Sequence, residues 1–340
     1  QRYLQYSMLE DMGLVHFVDW ASNFGETVTA IELSPEGSGY RAKTRFAKFF
    51  NLPELMAAFK QVADIQTADM LKLPVPKTNF HTEVIQPSKL QQEMVRGLAE
   101  RAEAIRGGGV DPHEDNMLRI TNDGRKLALD MRLIQPLAPD DPNGKVSVCA
   151  QNVYRIWEQT REKRSAQLVF CDLSTPKADG SFNVYDDLRR KLMDMGVPEE
   201  EIAFIHDADS DAKKKALFAR VRLGQVRVLM GSTQKMGAGT NVQDCLIALH
   251  DLDCPWRPSD LSQRLGRIVR QGNENPEVEI FRYVTEGTFD AYLYQLVENK
   301  QKFIEQSPGR VAEYDFECLV ERIVRIKMVE AEPAFLYLPG

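Results

Sequence analysis

Residues 226–243 read VRVLMGSTQKMGAGTNVQ: an apolar run, Val226–Gly231, that empties into a loop of small and polar residues. Glycine in such a loop lets backbone N–H groups approach a phosphate where a Cβ would clash. Gly237-Ala238-Gly239 lacks the third glycine of a dinucleotide fingerprint, so by itself it fits a tight turn as well as a ligand site. Outward from this stretch, short apolar runs recur at Gln167–Leu173, Ile202–Ile205, Cys245–Leu249 and Val278–Val284. Between them lie amphipathic stretches at Val146–Arg161, Val184–Met195, Asp211–Leu223, Ser259–Val269 and Thr288–Phe303. Strands of the fully buried type in strict alternation with helices predict an α/β domain over 146–305, a doubly wound parallel sheet covered on both faces.

The preceding region reads differently. Helix-period stretches at Tyr3–Met12, Thr44–Phe50, Leu55–Ile65, Ser88–Arg106 and Gly124–Ile134 make 1–135 mainly helical, with short alternating runs at Val28–Leu33 and His81–Ile85 as strand candidates. Pro136–Gly144 (PLAPDDPNG) concentrates turn formers, so 136–145 is the expected linker. The 306–340 extension holds one helix candidate, Glu317–Val329. The chain opens on Gln1, and its first residues read like the middle of an amphipathic helix; a fragment of a longer protein is expected.

The 340 residues, 43% hydrophobic and 27% charged, suffice for a substantial core. No apolar run approaches the roughly 20 residues that cross a bilayer, so no membrane partner and a cytoplasmic location are expected. Cys149, Cys171, Cys245, Cys254 and Cys318 are scattered and form no Cys-x-x-Cys pair, which argues for reduced, mostly buried thiols and no metal site. The net charge of −7 is segregated: residues 186–209 carry eight acids against three bases, whereas 211–235 carry Lys213, Lys214, Lys215, Arg220, Arg222, Arg227 and Lys235 against Asp211 alone.

After Asp253-Cys254-Pro255-Trp256-Arg257-Pro258 comes a predicted helix with Gln263, Arg267 and Arg270. At 100° per residue these three fall within about 60° of one another, a face of one amide and two guanidiniums. Arginine suits an anion, because its planar fork stays charged and bonds phosphate oxygens bidentately. Leu261, Leu265 and Ile268 form the opposite, anchoring stripe. Trp256, between two prolines, reads as packing, and His206 and His250, closing predicted strands, read as structural.

This ordered set resembles motifs V and VI of Swi/Snf-type helicases of superfamily two: Ser232-Thr233, Gly237-x-Gly239-x-Asn241-x-Gln243, Asp253-x-Pro255-Trp256-x-Pro258 and Gln263-Arg264-x-Gly266-Arg267-x-x-Arg270. Gln167–Thr175 is similar to motif IV, and the stretch from Arg270 to Phe303 resembles the helicase part of large methyltransferase-helicase proteins of phages and mobile elements. Leu71–Lys77 and Leu127–Arg132 resemble the segment linking the two motor domains.

The resemblance implies a RecA-like fold and a division of labour, in which ATP and Mg2+ sit between this domain and an N-terminal motor domain of the same polypeptide. Arg267 and Arg270 would be arginine fingers with Gln263 beside them. Gly237, Gly239 and Asn241 would line the nucleotide. Ser174, Thr175, Ser232, Thr233, Lys235, Lys213 and Lys214 would touch nucleic acid, with duplex DNA the expected form, and a methyltransferase fused upstream is a possible partner. No Gly-x-x-x-x-Gly-Lys-Ser/Thr and no Asp-Glu-x-His occurs, so the chain alone is expected not to hydrolyse ATP. An oxidoreductase would need its glycine fingerprint after the first strand, at Leu173, where none stands. A non-catalytic interaction module on the same scaffold is the alternative.

Overall fold

The computed structural model describes residues 4–33, 40–49, 51–62, 73–107, 110–111, 113–177, 179–236 and 241–305. The loop residues Gly237 and Gly239, and the candidate helix Glu317–Val329, lie outside them. The chain divides into two compact units, one of Gln1–Leu33, Tyr40–Leu73 and Gln295–Gly340, the other dominated by Pro74–Tyr294.

In the first unit, α1 (Tyr6–Asp11) and α2 (Phe17–Phe24) precede the antiparallel strands β1 (Gly25–Leu33) and β2 (Tyr40–Phe49), and α3 (Leu52–Lys60) follows. Leu9, Leu14, Trp20 and Phe24 form a small buried cluster. The helix expected at Thr44–Phe50 is the end of β2 instead. Its alternating Tyr40, Ala42, Thr44 and Phe46 include β-branched and aromatic residues that favour a pleated surface, and pairing with β1 satisfies the backbone.

The second unit is built on a six-stranded, all-parallel sheet of order β3-β8-β7-β4-β6-β5. Its strands are β3 (Lys77–Ile85), β4 (Ala166–Phe170), β5 (Ile202–Phe204), β6 (Val228–Gly231), β7 (Leu246–Asp251) and β8 (Glu277–Thr285). The alternating pattern after residue 145 accounts for five of them. The sixth, β3, comes from the region read as mainly helical and pairs with β8 from Lys77↔Glu277 to Ile85↔Thr285. It is an edge strand of mixed polarity (KTNFHTEVI), and so lacks the apolar run that marks β4 or β6.

Helices cover the sheet: α4 (Lys89–Arg106), α5 (Met117–Leu129), α6 (Lys145–Gln159), α7 (Val184–Asp194), α8 (Asp211–Arg222), α9 (Pro258–Leu265) and α10, which begins at Phe289. Ser88, Asn116, Asn183 and Ser210 each cap a helix by accepting a first-turn backbone N–H. Val153, Val169, Tyr185, Leu188, Met230 and Tyr283 belong to one core that joins sheet and helices. The expected linker 136–145 lies within this unit. Asp140 pairs there with Arg132 at 3.0 Å and with Lys191, and Lys145, wholly buried at the start of α6, pairs with Asp290. Turn-forming composition therefore marked a pinned turn between helices.

Candidate nucleotide and nucleic-acid site

In an open α/β sheet ligands gather at the carboxyl ends of strands where the strand order reverses. Here β4 lies between β6 and β7, and the chain leaves all three toward the same edge. Gly231 makes the exit from β6 possible: a Cβ there would lie 2.6 Å from Ile205 Cγ2 and 2.7 Å from Met236 Cγ. One helical turn, Thr233–Met236, follows. A groove of about 610 Å³ opens at this edge, lined by Asp172, Thr175, Ser232, Thr233, Gln234, Arg257, Asp260 and Gln263. It brings together Thr175, Ser232, Thr233 and Gln263 from the expected site, and neither Arg267 nor Arg270 is among its lining residues.

Beneath the groove is a buried ionic hub. Arg264, 1% exposed, donates to Asp172 Oδ2 (2.7 Å), Asp251 Oδ1 (2.9 Å), Asp253 Oδ1 (3.1 Å), the Asp253 carbonyl (2.9 Å) and Thr233 Oγ1 (2.8 Å). Its guanidinium carbon lies 5.1 Å from the Phe170 ring centroid. Asp253 Oδ2 also accepts the backbone N–H groups of Asp172 and Leu173, and Asp172 accepts both the amide and the hydroxyl of Thr233. One side chain thus fastens α9 to the loops after β4, β6 and β7. Burial works against the charge on Arg264, but Asp251, Asp253 and Asp172 outweigh it and hold the guanidinium protonated. For Asp172 burial is likewise outweighed, here by Arg264 and the Thr233 amide, so its carboxyl is held below the usual range. Asp253 is pushed upward, by burial first and by Asp172, because one cation faces three carboxylates.

Sequence reading gave Arg264 no role. The signal was present: Leu261, Arg264, Leu265 and Ile268 follow the i, i+3, i+4, i+7 spacing of a buried face, and all four are buried. An arginine on an apolar stripe needs buried carboxylates, which Asp251 and Asp253 in β7 and its exit loop supply.

The helix expected over Ser259–Val269 ends at Leu265, with Gly266 as its cap. Beyond it Arg267 N–H and Ile268 N–H bond the carbonyls three residues back, and Arg270 N–H bonds the Ile268 carbonyl. A single helical face shared by Gln263, Arg267 and Arg270 is therefore corrected to a helix followed by a tight turn. The helix stops while the apolar spacing runs on to Ile268, and Gly266 at its end keeps a right-handed backbone with φ of −63°. Arg267 is half-buried and Arg270 exposed on this turn. Burial, and then the neighbouring Arg270 cation, draw the Arg267 guanidinium downward from its ordinary value.

Other expected contacts divide by burial. Ser174 is 5% exposed and its Oγ accepts the Val184 N–H at the start of α7; Thr233 is 8% exposed and bound into the hub. Both hydroxyls are engaged inside the protein, which corrects their reading as open nucleic-acid contacts. Ser232 Oγ accepts the Lys235 N–H, and Asn241 is exposed with its carbonyl accepting from Arg222. Lys235 and Lys213 are exposed and Lys214 half-buried, with Lys213 3.0 Å from Asp209. Arg227 leaves the basic strip altogether: 1% exposed, it donates to the Trp157 carbonyl (2.7 Å), Thr160 Oγ1 (2.8 Å) and the Ser165 carbonyl (3.1 Å). Trp256 and Phe289 meet in a T-shaped arrangement with ring centroids 6.0 Å apart, and the Arg125 guanidinium lies 5.0 Å from the Trp256 ring centroid.

Fold and site together define a doubly wound α/β domain with a polar groove at the carboxyl edge of its sheet and an arginine-bearing turn after α9. Residues 145–272 match the family model described as helicase conserved C-terminal domain. The chain is 34% identical over 88 residues to a Bacillus subtilis (strain 168) protein described as uncharacterized ATP-dependent helicase YqhH, an alignment covering 26% of this chain and 15% of that protein. Among solved structures, the C-terminal part of the Fun30 ATPase domain matches with a TM-score of 0.47 and 14% identity, over 76% of this chain and 100% of that one. The DUF1998 helicase MrfA bound to DNA matches with a TM-score of 0.34 and 13% identity, over 52% and 23%. Among the described residues no helix is long and apolar enough to cross a membrane, and no group of three His, Cys, Asp or Glu is placed to hold a metal ion.

Proposed function

We propose that this chain is the C-terminal motor half of an ATP-dependent nucleic-acid translocase of superfamily two, of the Swi/Snf type and acting on duplex DNA. The observation that carries the reading is the pair Arg267 and Arg270, half-buried and exposed on one turn, inside the segment that matches the helicase model. Arginine stays charged and its planar fork bonds phosphate oxygens bidentately, so such a pair suits a ligand that carries phosphates. The phosphates of ATP fit that demand, and ATP supplies the γ-phosphoryl group whose transfer to water drives the motor. Arg267 and Arg270 contact those phosphates, Gln263 and Asn241 border the site, and magnesium would be held on the companion motor domain. Thr175, Gln234 and Lys235, with Lys213 and Lys214, face the nucleic-acid backbone, a contact that positions without reading sequence. An upstream methyltransferase would be a partner in cis.

The test is steady-state ATP turnover of the full-length protein that contains this chain. Arginine fingers meet charge that develops as the phosphoryl leaves, so Arg267→Ala or Arg270→Ala should cut turnover by on the order of 10³ or more, with nucleotide affinity much less affected. Near-wild-type turnover in both variants would overturn the assignment. The chain by itself, with magnesium and DNA, should show background turnover only.

A further inference from the structure

The turn that bears Arg267 and Arg270 is held by a side chain that lies outside both the groove and the hub. Asn273 Nδ2 donates to the Ile268 carbonyl and to the Leu246 carbonyl, each at 3.0 Å. Ile268 stands between the two arginines in the turn and is fully buried, while Leu246 is the first residue of β7. One amide group therefore bridges the arginine turn to the sheet. Its oxygen is used as well, accepting the Asn275 N–H at 2.9 Å, and Asn275 Nδ2 returns to the Leu246 carbonyl at 3.0 Å. Two further bonds close the clasp: Gln243 Nε2 to the Gln271 carbonyl at 3.4 Å, and the Glu274 N–H to the Asp244 carbonyl at 2.9 Å. Gly272, with φ of +86°, permits the reversal that brings Asn273 back under the turn.

We infer that Asn273 is a positioning residue for Arg267, whose neighbour Ile268 it holds by the carbonyl, an inference that rests on the functional reading above. After Leu265 the regular i→i−4 ladder gives way: the Val269 N–H still bonds the Leu265 carbonyl, but those of Arg267 and Ile268 reach three residues back and that of Arg270 only two, so tertiary bonds help to set the turn's geometry. The Asn273 bridge holds the carbonyl of Ile268, one residue after Arg267 and two before Arg270. An asparagine suits the task because its NH₂ carries two donors in one plane, and two carbonyls from separate segments are what must be joined. Aspartate has nearly the same shape but no donor, and would set a carboxylate against both carbonyls.

The experiment is steady-state ATPase on the full-length protein with Asn273→Ala, Asn273→Asp, Arg267→Ala and the double variant Asn273→Ala/Arg267→Ala, alongside melting curves. Small misplacement of a positioned group costs between about tenfold and a hundredfold in rate. Both Asn273 variants should lose kcat in that range while KM for ATP stays within about twofold, and the near-isosteric Asn273→Asp guards against a simple cavity effect. A residue that acts only through the arginine adds nothing once the arginine is gone, so the double variant should match Arg267→Ala alone. Unchanged kcat in Asn273→Asp, or losses that multiply in the double variant, would overturn the inference while leaving the arginine-finger reading intact. Wild-type turnover in Arg267→Ala would overturn both.

Discussion

The guanidinium of Arg264 meets the Asp172 carboxylate at 2.7 Å across 92 residues of sequence, and through that bond α9 is tied to the loop after β4. The same side chain reaches Asp251 and Asp253, which are 3% and 2% exposed. A buried cation that satisfies buried carboxylates is costly to remove, since the partners stay behind uncompensated. Arg264→Met should destabilise the chain by about 3–5 kcal/mol in chemical denaturation. A loss below about 1 kcal/mol, the range of exposed ion pairs, would show that the hub contributes little to the fold.

Nucleic-acid binding should be salt-dependent and indifferent to sequence, because the candidate contacts are lysines and loop hydroxyls aimed at the backbone. The structure sorts the basic stretch into those that reach solvent and those that do not. Lys235→Ala should lower the slope of log K against log salt by about 1, equally for duplexes of any sequence. Lys213→Ala should do less, since Asp209 partly neutralises that charge. Arg227→Met should leave the slope unchanged and lower stability, because Arg227 is spent on the carbonyls of Trp157 and Ser165. Titrations of two labelled duplexes at two salt concentrations decide it: a slope altered by Arg227→Met and untouched by Lys235→Ala would reverse the assignment.

The five central and right-hand strands were legible because each is buried on both faces, so Leu168, Val169 and Phe170 in β4 or Leu229 and Met230 in β6 stand as apolar runs. The strand β3 was half legible, since its polar side chains at Asn79 and His81 pair with Glu277 and Glu279 of β8, contacts about 200 residues away in sequence that no local pattern carries. The site divided the same way. Arg267 and Arg270 could be singled out by residue type and spacing, but the stop at Leu265 left no mark in an apolar spacing that runs on to Ile268. Ser174 and Thr233 looked available because a hydroxyl at a strand end reads the same whether it faces solvent or a helix N-terminus. Burial decided between those readings.

His250 offers a prediction whose sign follows from its surroundings. It is fully buried in β7, hydrogen-bonded to the Tyr283 hydroxyl at 2.8 Å and to Gln167 Oε1 at 3.0 Å, with its ring stacked 4.9 Å from that of Phe281. Burial, with smaller contributions from the Arg155 and His81 charges, draws its pKa down from 6.5 to about 3. In the unfolded chain the imidazole titrates near its ordinary value, so between those two limits the unfolded state binds the extra proton. Stability from this residue is therefore complete above about pH 6.5 and is lost as the pH falls toward 3, with a slope of up to about 1.4 kcal/mol per pH unit. His250→Gln keeps a donor and an acceptor for Tyr283 and Gln167 but cannot titrate. It should lower stability at pH 7.5, by about 1–3 kcal/mol for the lost packing and stacking, yet fall less steeply than wild type from pH 6.5 to 4.5. Carboxylates elsewhere also titrate in acid, but they do so in both proteins, so the difference between the two denaturation series isolates the histidine. Parallel curves across that window would mean that His250 carries its proton in the folded state, and the buried neutral imidazole between Tyr283 and Gln167 would have to be abandoned.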